Sequence, residues 1–268
     1  SSCTDGVTRM RGSKYVQSYI AENHFREIRK FLVRGKIVLF TGTPCQVAGL
    51  RNFLSEKYEH LICCDLLCHG VPSQMWLNKY LSAQHKRKYP IVGFSFRDKT
   101  LGWSNFQTAV EWADGFVRLV KNKNNPFMIS YLKNYSLRES CYLCPYASDV
   151  RQGDITLGDY WGISEQYPEY SEDKKGISLI IINSSLGERF IKSCGETIFI
   201  TETNMEYAKK GNVVLSRPFE RPQQRSSFYK DIMRLTYDEF CRIYHLSSPS
   251  IMTRIIQKVL KFISKLTT

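Results

Sequence analysis

The sequence predicts an α/β protein built on a mixed sheet, and three observations carry that prediction. Two strand–loop–helix units follow one another near the start, around Cys45 and Cys68. A run of alternating strands broken by Asp114-Gly115 marks an antiparallel insert. After Pro222 the periodicity turns helical and stays so to the end, giving a helical C-terminal tail.

Taken in order, residues 25–32 have the apolar spacing of a helix that Gly35 ends. Residues 36–41 are short, apolar and rich in β-branched side chains, the signature of a buried strand. Thr43 then caps a helix with Pro44 at its first position, and Val47, Leu50, Phe53 and Leu54 form its apolar face. The Cys45 thiol falls at that helix N-terminus, where the helix dipole favours a thiolate. Residues 61–67 repeat the strand, and Cys68-His69-Gly70-Val71-Pro72-Ser73 leads into a helix through Trp76, Tyr80 and Leu81. Two such units in succession imply parallel strands joined by right-handed crossovers. Their loops, with Cys45 and Cys68, then share the carboxyl edge at which open α/β sheets bind ligands.

From Ile91 the pattern changes. Residues 91–96, 106–112 and 116–120 read as strands of the insert, placed as a lid over the sheet edge. A helix over 127–135 leads to Cys141-Tyr142-Leu143-Cys144-Pro145, and a glycine-rich stretch follows at 153–162. Strands are predicted over 177–182 and 197–201, with a helix around 188–194 between them. The expected division is a catalytic domain over 1–220 and a basic helical tail over 221–268.

The composition, 43% hydrophobic and 24% charged over 268 residues, is that of a globular protein with a substantial core. Nine cysteines, odd in number and irregular in spacing with no signal peptide before them, argue against a secreted disulfide framework. A cytoplasmic setting is expected, and no apolar run is long enough to span a bilayer. The chain opens at Ser1 without a methionine, so truncation at the N-terminus is expected.

The net charge of +13 suits anionic cofactors, lipids or acidic partners. Ile251, Ile255, Val259, Phe262 and Leu266 line one face of the last predicted helix, opposite Arg254, Lys258, Lys261 and Lys265. Such a helix either packs on its own domain or a partner, or lies on an anionic membrane, here the inner face. Nucleic acid is not an expected partner, because no recognition motif accompanies the basic charge.

Cys45, Cys68, Cys141 and Cys144 each stand where a strand or loop hands over to a helix, so distant thiols can meet. A lone C-x-x-C is shared by zinc ribbons, redox motifs and cluster sites. Structural zinc usually brings a second close pair, whereas one pair plus two scattered thiols is a pattern that cluster ligation tolerates. Both metals stay open on the residues alone. Cys63, Cys64, Cys194 and Cys241 fall in apolar strand or helix positions and read as packing residues, and Cys3 cannot be assigned. Gly42-Thr43-Pro44 and the stretch from Gly153 to Asp159 are expected to let the backbone approach a ligand and to offer free amides. Lys14, His69 and Arg97 are candidates to anchor an anionic cofactor.

Several longer motifs then occur in one order. They are Gly12-Ser13-Lys14-Tyr15, Thr41-Gly42-Thr43-Pro44-Cys45-Gln46, Cys68-His69-Gly70-Val71-Pro72-Ser73, Phe96-Arg97-Asp98-Lys99 with Gly102-Trp103, the Cys141/Cys144 pair, and the run from Gly153 to Gly162. Together they resemble the beta-subunit family of coenzyme F420 hydrogenases and dehydrogenases, over about residues 10 to 220. The resemblance implies an iron–sulfur flavoprotein oxidoreductase that relays electrons between a [4Fe-4S] cluster and FAD. It implies Cys45, Cys68, Cys141 and Cys144 as cluster ligands. It puts Gly12, Ser13, Lys14, Tyr15, Thr41, Gly42, Thr43 and Asp159 near the flavin. A ferredoxin-like module or redox partner protein and a small hydride donor or acceptor are the implied partners, and polysaccharide biosynthesis is the implied setting. Many bacterial relatives carry an N-terminal ferredoxin-like module, and no such module lies in this sequence. The rival expectation is a metal-stabilised, non-enzymatic scaffold that docks partners or membrane through its basic tail.

Overall fold

A computed structural model describes residues 12–21, 23–84, 87–170 and 174–246. Helix α1 (His24–Val33) precedes strand β1 (Val38–Gly42), helix α2 (Pro44–Leu54), strand β2 (Leu61–Leu66) and helix α3 (Gln74–Gln84). Both predicted strand–loop–helix units are therefore present, and β1 and β2 pair in parallel, Val38 opposite Leu61 and Gly42 opposite Asp65. The largely apolar run of β2 suits its place inside the sheet, where five of its six residues are buried.

Strands β3 (Ile91–Asp98), β4 (Gln107–Trp112) and β5 (Val117–Lys121) form a separate antiparallel sheet in that order. The turn between β4 and β5 needs Gly115, whose φ of 80° lies in the left-handed region. Helix α4 (Pro126–Leu132) stops before the predicted residue 135, because Asn134 takes a left-handed φ of 60°.

The glycine-rich stretch, to which the sequence assigns no element, contains β6 (Ile155–Asp159). It is followed by α5 (Ile163–Gln166), β7 (Ser178–Ile182), α6 (Ser185–Ser193) and α7 (Met205–Gly211). Strand β6 pairs parallel with β2 and antiparallel with β7, completing a mixed sheet in the order β1-β2-β6-β7. The strand predicted over 197–201 is not formed. A 3-10 turn over Gly195–Thr197 gives way to irregular chain, and Phe199 is 91% exposed, so that apolar segment has no partner strand to bury it.

Helices α8 (Arg225–Arg234) and α9 (Tyr237–Ile243) lie in the region predicted as a tail, yet they share the largest core. There Phe228, Ile232, Phe240, Tyr244 and Leu246 pack with Trp76 and Tyr80 of α3 and Phe127 and Met128 of α4. The amphipathic helix expected over 251–266 and Cys3 lie outside the described residues.

Candidate functional site

The two parallel units deliver Cys45 and Cys68 to one edge of the sheet. Cys45 is the second residue of α2, directly after β1, and Cys68 comes two residues after β2. The third segment is anchored from below. Asp65, fully buried near the end of β2, accepts hydrogen bonds from the Gln152 and Gly153 amides and from Arg151 and Thr156. Arg151 is itself buried and also donates to the carbonyls of Leu66, Tyr146 and Ser148. A paired charge tied to several acceptors holds the chain after Cys144 against the end of β2. Cys141 sits in a 3-10 turn (Glu139–Leu143), its amide donating to the Arg138 carbonyl.

The result is a pocket of about 50 Å³ lined by Cys45, Cys68, Cys141, Cys144, His69 and Arg151, among others. That volume takes a compact group and is too small for a flavin ring, whose class of ligand occupies roughly 300–1,000 Å³. The thiols feel one another electrostatically. Burial pushes the Cys68 thiol up to about 12, and Cys141, Cys45 and Cys144 add to that, while the Gly70 amide opposes it. Burial likewise raises Cys141, with Cys144 and Cys45 contributing. Among the described residues, no three His, Cys, Asp or Glu side chains close onto a single point as a ready-made ion cage. Cys63, Cys64 and Cys241 are buried, and the Cys194 thiol points back to the Phe190 carbonyl, all in keeping with packing roles.

His69 connects this pocket to its surroundings. Its ring stacks on Phe219 at 4.0 Å and meets Tyr131 at 4.6 Å, and its Nε2 lies 2.7 Å from Asn134 Oδ1. Burial lowers its pKa. Tyr131 in turn stacks on Tyr15 at 4.9 Å. Tyr15 lies beside Arg97 and near Asp159. Burial raises its phenol, and the guanidinium charge opposes that rise. A ladder of ring contacts thus runs from the thiol pocket to the seam between the two sheets.

At that seam Arg97, from β3, pairs with Asp159 at the end of β6, and Trp103 Nε1 donates to the other Asp159 oxygen at 2.9 Å. The rings of Trp103 and Trp161 stack at 4.5 Å, and the Arg97 guanidinium lies 4.4 Å from the centre of Phe106. The insert therefore meets the sheet edge through these groups.

The remaining predicted residues divide between the two regions. Thr41 and Gly42 end β1, and Thr43 caps α2 with its hydroxyl 3.1 Å from Cys45 Sγ, on the thiol side. Gly12, Ser13 and Lys14 share the irregular segment that carries Tyr15. Gln46 of α2 donates to Ser18 of that segment at 2.8 Å, which joins the two glycine-bearing stretches. The free amides expected at 153–159 are not found there. The Gly153 amide serves Asp65 and the Asp154 amide serves the Cys63 carbonyl. A Cβ on Gly153 would lie 2.6 Å from the Asp65 nitrogen, so that glycine lets β2, not a ligand, come close. The Asp65–Arg151 pair was not singled out from the sequence, although a carboxylate inside an apolar strand is its signal.

The family described as the C terminus of the coenzyme F420 hydrogenase/dehydrogenase beta subunit matches residues 35–207. The chain belongs to this family. The match runs from β1 into the start of α7 and includes all four pocket cysteines, Arg97 and Asp159. The F420 beta-subunit family is a subunit family of redox enzymes, which makes the chain an oxidoreductase-related subunit. No curated protein matches the chain. No helix among the described residues is long and apolar enough to cross a membrane.

Proposed function

We propose that this F420 beta-subunit relative is an iron–sulfur flavoprotein, with Cys45, Cys68, Cys141 and Cys144 holding a [4Fe-4S] cluster beside an FAD. The observation that carries the reading is the meeting of these four thiols, from three separate stretches of chain, in one small pocket. Soft sulfur donors suit iron–sulfur clusters and zinc alike. A single zinc ion needs every sulfur about 2.3 Å from one point. The thiol charges repel one another, and a cationic iron core would offset that repulsion while displacing their protons.

Gly12, Ser13, Lys14, Tyr15, Thr41, Gly42, Thr43 and Asp159 are the residues that would hold the flavin. When bound, the two cofactors would supply one-electron storage and hydride exchange. The protein's part is placement: the ring ladder keeps the regions adjacent, and the Asp65–Arg151 anchor fixes the cysteine segment. A redox protein and a small hydride donor or acceptor complete the reaction, in a polysaccharide-synthesis setting. An acidic protein partner would find charge complementarity in an open groove beside α1 lined by Arg26, Arg29, Lys30 and Arg34.

Anaerobic reconstitution with iron and sulfide tests the reading. The expected product is brown, with about four irons and four labile sulfides per chain, and it releases FAD on denaturation. A colourless protein holding one zinc per chain would sink the redox assignment and leave a metal-stabilised scaffold.

A further inference from the structure

The Arg97 side chain is only 5% exposed, and its Nη1 is taken by Asp159. Among the described residues, its buried Nε and Nη2 have no hydrogen-bond partner. The other unpartnered buried side-chain atoms, on Trp112, Asn122 and Ser136, belong to neutral groups. A guanidinium has donors only, so the missing partner is an acceptor. Nε and Nη2 point along the same edge of the fork, the geometry that receives two oxygens of one carboxylate or phosphate. Leaving that edge bare in a buried place is costly, which marks a position kept for a ligand.

The surroundings agree with an oxyanion. Asp159 cannot turn to serve the bare edge, because its other oxygen is held by Trp103 Nε1. Phe106 and Trp161 face the guanidinium with their rings, and the Tyr15 phenol lies beside it. Tyr15 comes from an irregular segment, residues 12–20, so the cover over the site is not part of a helix or strand.

We infer that the Nε/Nη2 edge of Arg97 is a binding site for a carboxylate or phosphate group. The inference rests on the flavin reading only for the source of that group, a flavin phosphate or the anionic end of a small substrate. The test uses the full chain and Arg97→Lys, which keeps the charge and loses the fork, with FAD, riboflavin, pyrophosphate and malonate as probes in equilibrium binding. Two charge-assisted hydrogen bonds at stake imply a loss of about 10- to 100-fold.

If FAD binds at least tenfold tighter than riboflavin, and only that advantage disappears in Arg97→Lys, the site holds the flavin phosphate. If pyrophosphate or malonate depends on Arg97 while FAD does not bind, the site stands and the flavin reading falls. If FAD binds both proteins equally, and neither small anion depends on Arg97, the site is overturned and the flavin reading survives. Should the variant not fold, the wild-type protein decides: the slowly exchanging Arg Nε–Hε nuclear magnetic resonance signal must move on titration with pyrophosphate or malonate. A signal that stays fixed overturns the inference.

Discussion

Each pocket cysteine has its own exposure and its own neighbours, and these differences make the residues separable by experiment. Cys45 is exposed, whereas burial and the other thiols push Cys68 up to about 12. A raised thiol pKa keeps Cys68 protonated at pH 8, and the thiolate is the nucleophile. In the metal-free protein at pH 8, iodoacetamide should therefore modify Cys45 well before Cys68, as mass spectrometry of timed samples would show. Equal rates would mean that the pocket is open. Serine at Cys45, Cys68, Cys141 or Cys144 should abolish iron incorporation, and serine at Cys194 should leave it intact. Loss in the Cys194 variant as well would undo the separation of ligands from packing thiols. Thr43, placed by its motif near the flavin, has its hydroxyl against Cys45 Sγ. Thr43→Val should accordingly disturb the metal centre's visible spectrum more than it weakens FAD binding.

At the level of elements, the Asp65–Arg151 pair fastens the cysteine segment to β2. Breaking a buried ion pair by removing one partner typically costs about 3–5 kcal/mol. Arg151→Met should lose stability on that scale in urea denaturation, with iron incorporation falling in parallel. A loss below about 1 kcal/mol would show the pair to be no more than a surface-grade contact. Gly153→Ala should be comparably damaging, since its Cβ would also press on the Ile155 carbonyl oxygen at 2.6 Å. The strand–loop–helix units were legible in the sequence because hydrophobic periodicity is local. The fastening was not, because the carboxylate inside β2 signals a partner without pointing to Arg151, 86 positions away. The same holds for Arg97 and Asp159, 62 positions apart. The misread strand at 197–201 shows the converse: an apolar β-branched run stays irregular when no neighbouring strand offers a ladder.

Across the whole molecule, α8 and α9 complete a core that begins at α3. A chain ended at residue 220 loses Phe228, Ile232, Phe240, Tyr244 and Leu246 from that core. At about 1.5–3 kcal/mol for each large apolar side chain, the loss is on the order of 10 kcal/mol, as large as a typical total stability of about 5–15 kcal/mol. A chain ended at 246 should fold with a sharp thermal transition, and one ended at 220 should not. A cooperative melt from the shorter chain would instead support 1–220 as a self-sufficient domain. The seam between the two sheets has a different consequence. Of the chain's four tryptophans, Trp76 and Trp112 are sealed inside, while Trp103 and Trp161 face each other where Arg97 meets Asp159. The protein thus carries its own dye at the junction: any occupant that parts the two indoles should register as a change in emission and in quenching by acrylamide, with no label attached.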